Sequence, residues 1–89
     1  MNELKRISKE VAIRTCERAL LSTHGIVSVP DIKCSFDKDG ISFDVYLIVS
    51  IYTKIPDMAW EAQNNVKNSV MNITDKKVKR VDIYVTGVE

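Results

Sequence analysis

The clearest pattern in the chain is the alternation of apolar and other positions in "ISFDVYLIVSIY", from Ile41 to Tyr52. All its odd-numbered positions are apolar: Ile41, Phe43, Val45, Leu47, Val49 and Ile51. Because successive side chains of a strand point to opposite faces, the segment predicts one long antiparallel-type strand with a fully buried face. Tyr46, Ile48 and Tyr52 predict partial cover of the other face.

Two segments follow the helical period instead. The first, from Lys9 to about Thr23, has Ser8 as its N-cap and Gly25 as a left-handed C-cap. Its buried stripe is Ala12, Thr15, Cys16, Ala19, Leu20 and Thr23. The second starts with Pro56 in its first turn and runs to about Thr74. Its stripe is Ile55, Met58, Ala59, Ala62, Val66, Ser69, Val70 and Ile73.

The remaining segments predict strands and turns. Residues 26–29 form a short apolar run that Pro30 is expected to stop, and "DIKCSF" then alternates. "DKDG", from Asp37 to Gly40, predicts a hairpin turn. "VKRVDIYVTGV" predicts a closing strand with Val81, Ile83 and Val85 on one face. Residues 1–7 are either a short edge strand or a lead-in.

The order is therefore (β)αββαβ in one domain, residues 1–89. The second helix connects the long strand to the last strand, and a right-handed crossover makes that pair parallel. Each helix has a single apolar face. The sequence predicts an α+β two-layer sandwich, with both helices packed on one face of a three- or four-stranded mixed sheet.

Charge and composition limit the classes of function. A net charge of +1 gives no bulk attraction to nucleic acid or to an anionic membrane. The first residues, "MNELKRISKE", lack the apolar core of a signal peptide, and the apolar runs are shorter than the roughly 20 residues of a membrane helix. We expect a cytoplasmic protein without direct membrane insertion. Cys16 and Cys34 are then expected to be reduced, buried small apolar residues, with a single disulfide between them as the alternative.

Candidate catalytic chemistry is sparse. His24 at a helix end is favoured by the helix dipole without any other role. It does not form a zinc-ligand pattern with Cys16 and Cys34. No serine lies in a nucleophile elbow, and the three glycines are scattered, so we expect no catalytic, cofactor-binding or metal-binding residues.

Two surface features have alternative interpretations. "DKKVKR", residues 75–80, is either a solvated turn leading into a charged edge strand or a phosphate-contacting patch. Trp60, the only tryptophan, falls on the far side of the second helix together with Asn64, Lys67 and Met71. This stripe is either a partner surface or is covered locally by the first helix or the N-terminal segment.

The chain resembles the alkaline shock protein (Gls-type general stress) family of Gram-positive bacteria. The matching features are "ISKEVAIRTCERAL", then "GIVSV", then the long strand with the second helix, and finally "KKVKRVDIYVTGV". Within the second helix the family phrase matches at Ile55, Pro56, Ala59, Gln63 and Val66. The closing phrase of the family appears as Ile83, Val85, Gly87 and Val88, with isoleucine in place of the first valine.

The resemblance implies a non-enzymatic, cytoplasmic protein linked to cell-envelope stress or homeostasis. It also implies self-association into a homo-oligomer and docking on a membrane-anchored protein partner. The alternative is a small KH-like nucleic-acid-binding domain, for which the GxxG clamp is missing.

Overall fold

The computed structural model describes residues 7–89 as two helices and three strands in the order αββαβ. The elements are α1 (Lys9–Leu21), β1 (Ile26–Asp37), β2 (Gly40–Val49), α2 (Ile55–Met71) and β3 (Val78–Val88). This order confirms the predicted α+β class, and the sheet of the described part has three strands. The leading strand considered for residues 1–7 lies outside the described residues, apart from Ile7, which belongs to no strand.

The sheet has the order β1-β2-β3, so the strongly alternating strand is central and the other two are edges. β1 pairs antiparallel with β2, and β3 pairs parallel with β2, as the crossover through α2 requires. The hairpin between β1 and β2 forms at the predicted turn. There the Asp37 carboxylate accepts hydrogen bonds from the backbone N–H groups of Asp39 (2.8 Å) and Gly40 (3.1 Å).

Both helices pack on the same face of the sheet and share one core. The α1 side of this core is mostly small residues, which let the helix lie close to the strands, and β2 supplies its large residues. Its fully buried members include Ala12, Cys16 and Leu20 of α1, Ile41, Phe43, Val45 and Leu47 of β2, and Ala62, Val66 and Val70 of α2. The predicted buried faces of both helices and of β2 are confirmed at these positions. Ile55 and Ile73, at the two ends of the predicted α2 stripe, are exposed instead, because Ile55 is the first residue of α2 and Ile73 lies beyond its end.

The expectation that Pro30 stops a strand is wrong. β1 continues through Pro30 as one strand from Ile26 to Asp37. Proline cannot donate to a ladder, but β1 is an edge strand, and its register with β2 shifts between Ser28 and Asp31. An edge position beside a bulge is where a strand accommodates proline.

Three predicted elements end earlier than expected. β2 ends at Val49, and Ile51 is 65% exposed because the chain turns there, with the Thr53 N–H donating to the Ser50 carbonyl. α1 ends at Leu21 and α2 at Met71. The left-handed Gly25 lies beyond Ser22, the actual C-cap of α1, in the turn that leads to β1.

Candidate interaction surface

The orientation of α2 follows from the stripe that fixes it to the sheet. Met58, Ala62, Val66 and Val70 are buried, at intervals of four residues along one face. Pro56 lies in the first turn, where its missing N–H leaves no hydrogen bond unmade. Because the helix is fixed on this side, the residues about half a turn away must face outward.

The predicted stripe lies on this outward side. Trp60 is 70% exposed and Met71 is 52% exposed, Lys67 is exposed, and Asn64 is half-buried. The Asn64 amide Nδ2 donates to the Trp60 carbonyl at 3.0 Å, which ties this side chain to the helix surface. The described elements leave the indole of Trp60 largely in water. Most exposed apolar residues need no explanation, but a tryptophan and a methionine on one stripe have the composition of a contact surface.

Next to this stripe, α2 is joined to the edge strand β3 by a hydrogen bond. Gln63 Nε2 donates to the main-chain carbonyl of Val81 at 3.0 Å. Residues three apart are neighbours on a helix surface, so Trp60 lies beside Gln63, one turn nearer the start of α2. The outward stripe of α2 therefore borders the β3 edge of the sheet, which is free in the sense that it pairs with no other strand of residues 7–89.

Two of the four cations in the basic segment, Lys79 and Arg80, are paired with acids. Lys79 Nζ lies 2.9 Å from Asp37, and Arg80 contacts both Asp44, at 3.2 Å, and Asp82. The hydrogen bond from Lys79 and that from the backbone of Asp39 hold the pKa of Asp37 below its usual value. Hydrogen bonding to Asp44 and the charge of Asp82 raise the pKa of Arg80. These pairs reduce the positive potential that a phosphate-contacting patch requires.

The sheet face away from the helices carries an aromatic pair. Tyr46 of β2 and Tyr84 of β3 stack with ring centroids 5.0 Å apart and an interplanar angle of 16°. The Lys33 ammonium of β1 lies 5.6 Å from the Tyr46 centroid, within cation–π range. The tyrosine stack and the Lys33 contact together link the three strands across this face.

Both cysteine thiols have a raised pKa, which disfavours the reactive thiolate form. Cys16 is fully buried, and burial, with smaller contributions from Cys34 and Glu17, raises the pKa of its thiol to about 12. Cys34 is half-buried rather than buried, because it lies on an edge strand. Both are free thiols, as expected, and burial also raises the pKa of Cys34.

Residues 7–89 contain no group of three or more His, Cys, Asp or Glu side chains that could hold a metal ion. His24 is exposed and lines an open cleft of about 490 Å³ between the turn after α1 and the start of α2. The cleft is also lined by Tyr52, Lys54, Asp57 and Glu61.

Within the described part of the chain, neither helix is long and apolar enough to cross a membrane.

Gln63 is the residue of this surface that the periodicity did not predict, whereas an edge position for the last strand was one interpretation of residues 75–80. Gln63 lies between the buried and the outward stripes of α2. A polar side chain at such a position can face solvent or bind another part of the protein, so its polarity does not predict the hydrogen bond to β3. Its place in the "IPDMAWEAQNNV" phrase that carries the family resemblance was the one available signal. The stacking of Tyr46 on Tyr84 depends on the strand register, which only the fold supplies.

Comparison with solved structures shows a shared fold. The chain superposes on variants of MamM-CTD with a TM-score of 0.66 at 15% sequence identity, over 92% of this chain and 100% of that one. A second variant gives a TM-score of 0.64 over 90% of this chain and 95% of the other. At this level of identity, the similarity concerns the αββαβ fold alone.

Two relatives come from Bacillus subtilis (strain 168). The uncharacterized protein YqhY is 29% identical over 58 residues, which cover 65% of this chain and 43% of YqhY. The uncharacterized protein YloU is 42% identical over 50 residues, which cover 56% of this chain and 42% of YloU. The chain thus spans less than half the length of these curated relatives.

The family comparison covers the sheet and α2. Residues 26–89 match the alkaline shock protein 23 family, which is described by its cell envelope-related function. The match includes all three strands, the outward stripe of α2 and Gln63, and it spans more than half of the chain. The chain therefore belongs to the alkaline shock protein 23 family.

Proposed function

We propose that this domain is a non-enzymatic interaction module that self-associates and docks on a membrane-anchored protein in the response to cell-envelope stress or in envelope homeostasis. The observation that carries the proposal is the exposed Trp60 on the outward side of α2, with Met71 on the same stripe. Trp60, Asn64, Lys67 and Met71 are the proposed partner surface. A cytoplasmic location of the domain is part of the same proposal.

The chemistry of the stripe supports a protein partner. Tryptophan supplies a large, rigid contact area and is enriched among the residues that contribute most to binding energy. Membership of a family with a cell envelope-related function supports the biological setting. The nucleic-acid alternative has less support, because Lys79 and Arg80 are already paired with acids.

The test is the molar mass of the wild type and of two variants, measured by size-exclusion chromatography with light scattering. We expect the wild type to exceed the protomer mass of 10.1 kDa. Trp60→Ala is expected to shift to the protomer mass. Tyr52→Ala is the matched control, because Tyr52 is 92% exposed but lies in the turn before α2. It should keep the wild-type mass.

The same variants test docking by co-sedimentation with membrane vesicles from the source organism. Wild type and Tyr52→Ala are expected to sediment with native vesicles, and Trp60→Ala is not. Vesicles stripped by protease, or made from lipid alone, should capture none of them. A protomer mass for the wild type, or unchanged mass and sedimentation for Trp60→Ala, would contradict the proposed role of this surface.

A further inference from the structure

We infer that the free edge of β3 pairs, antiparallel, with the same edge of a second copy of the chain, around a two-fold axis at Tyr84. The inference rests on the proposed self-association and specifies its geometry. Two three-stranded sheets would then join into one sheet of six strands.

The first step concerns which main-chain groups of β3 are free. The Ile41 N–H donates to the Lys77 carbonyl at 2.8 Å, and the Glu89 N–H donates to the Val49 carbonyl at 2.9 Å. Odd-numbered residues of β2 thus direct their main-chain groups toward β3. Between the two register shifts, the even-numbered residues of β3 direct their own main-chain groups toward β2 and form these hydrogen bonds. The main-chain groups of Val81, Ile83 and Val85 therefore face outward.

The second step concerns which part of this edge is open. The outward carbonyl of Val81 already accepts a hydrogen bond from Gln63. In the first half of the strand, the charged side chains of Lys79, Arg80 and Asp82 oppose pairing with another strand. Residues 83–88 have no charge and no proline. Ile83 and Val85 are the positions in this part that combine free outward groups with apolar side chains.

The other edge of the sheet is protected. β1 carries Pro30 and two register shifts, and these disrupt a regular ladder. Head-to-tail growth requires each subunit to have two open edges. A sheet with one open edge therefore cannot grow in this way. Pairing of β3 with β3 uses the same surface on both copies, so the assembly closes as a dimer.

The third step concerns the fit between two copies. With the axis at Tyr84, Ile83 lies opposite Val85 of the second copy, and the two exchange both main-chain hydrogen bonds. The symmetry-related pair doubles this to four bonds. Asp82 then lies opposite Thr86, and Arg80 opposite Val88, so that no like charges face each other.

The outward stripe of α2 completes the interface. A ladder of a few residues buries much less than the roughly 1,000 Å² expected of a specific interface. Gln63 fixes α2 against this same edge, with Trp60 beside it. Pairing of the two edges would bring both α2 helices to the junction, where Trp60 of each copy can be covered.

The experiment combines amide hydrogen exchange by NMR with light scattering, over a range of protein concentrations. The Ile83 and Val85 N–H groups are expected to exchange rapidly in the monomer and to become protected as the mass rises to that of a dimer. A dimer in which both amides still exchange rapidly would overturn the strand pairing but leave the proposed self-association standing. A chain that stays monomeric would overturn both.

A pair of variants tests the same point by mass. Val85→Pro removes an outward donor and no hydrogen bond to β2, a position where an edge strand tolerates proline. Val85→Ala keeps the donor and controls for the loss of the valine side chain. Because two donors are lost per dimer, Val85→Pro is expected to raise the dimer dissociation constant about tenfold or more above that of Val85→Ala. Equal constants for the two variants would overturn the pairing.

Discussion

Single residues decide the local geometry on which the rest of this fold is built. Gly40 closes the hairpin with φ of +144°, in a region of backbone conformation that favours glycine. A Cβ at this position would come too close to the carbonyl oxygen of Lys77, which accepts the hydrogen bond from Ile41. The hairpin and the start of the β2–β3 ladder therefore depend on the same glycine.

Replacing this glycine tests that dependence. Gly40→Ala is expected to lower the free energy of unfolding by about 1–3 kcal/mol, the usual range for a strained backbone conformation. Gly87→Ala is the control, because its φ is not positive and its Cβ would meet only the Ile48 side chain, at 3.4 Å. It should cost less than about 1 kcal/mol in urea denaturation. Equal losses for the two variants would contradict this account of the turn.

For single residues, the sequence predicted side-chain exposure best where neighbouring residues in the chain determine it. The outward direction of Trp60 follows from helical periodicity alone, and its exposure agrees with that direction. Cys34 was expected to be buried because free cysteine usually is. Its partial exposure comes from its place on an edge strand, which is a property of the whole sheet.

Helices and strands could be predicted where one period of apolar positions extends over many residues. β2, α1 and α2 show their expected buried faces except at element ends, where Ile51, Ile55 and Ile73 are exposed. Each of these elements has a long apolar stripe and begins at a recognisable turn or cap. β1 was divided at Pro30 because the penalty for proline depends on whether the strand is central or at the edge. The sequence of one strand does not contain that information.

The contact between α2 and β3 can be tested by changing its donor. Gln63→Met keeps the length and the apolar part of the side chain but removes the hydrogen bond to the Val81 carbonyl. We expect it to lower the free energy of unfolding by about 1 kcal/mol. Asn68→Met, at an exposed position of the same helix, is the control. Thermal and urea unfolding should separate the two variants, and equal stabilities would rule out a contribution from this bond.

At the scale of the whole molecule, the fold brings together residues that are distant in the chain. Lys79 meets Asp37, and Arg80 meets Asp44, across the sheet. Two of the four cations in the basic segment are thereby paired with acids in the structure. The open part of the β3 edge and the outward stripe of α2 instead remain next to each other. Neither adjacency could be predicted before the strand order was known.

This arrangement gives the domain one side that is suited to association. The core occupies the space between helices and sheet, and the edge at β1 is protected by Pro30. The side formed by β3 and α2 carries Trp60. We propose that this side, within a family of cell envelope-related function, is where the chain meets its own copies and its partner.

The most direct test of that claim uses Trp60 as its own reporter, because it is the only tryptophan in the chain. Its fluorescence emission is measured over a range of concentrations of the unmodified protein, alongside the molar mass from light scattering. The account predicts that the emission maximum moves to shorter wavelengths as the mass rises from that of the protomer, because association removes the indole from water. An assembly whose emission remained that of an indole in water would contradict it.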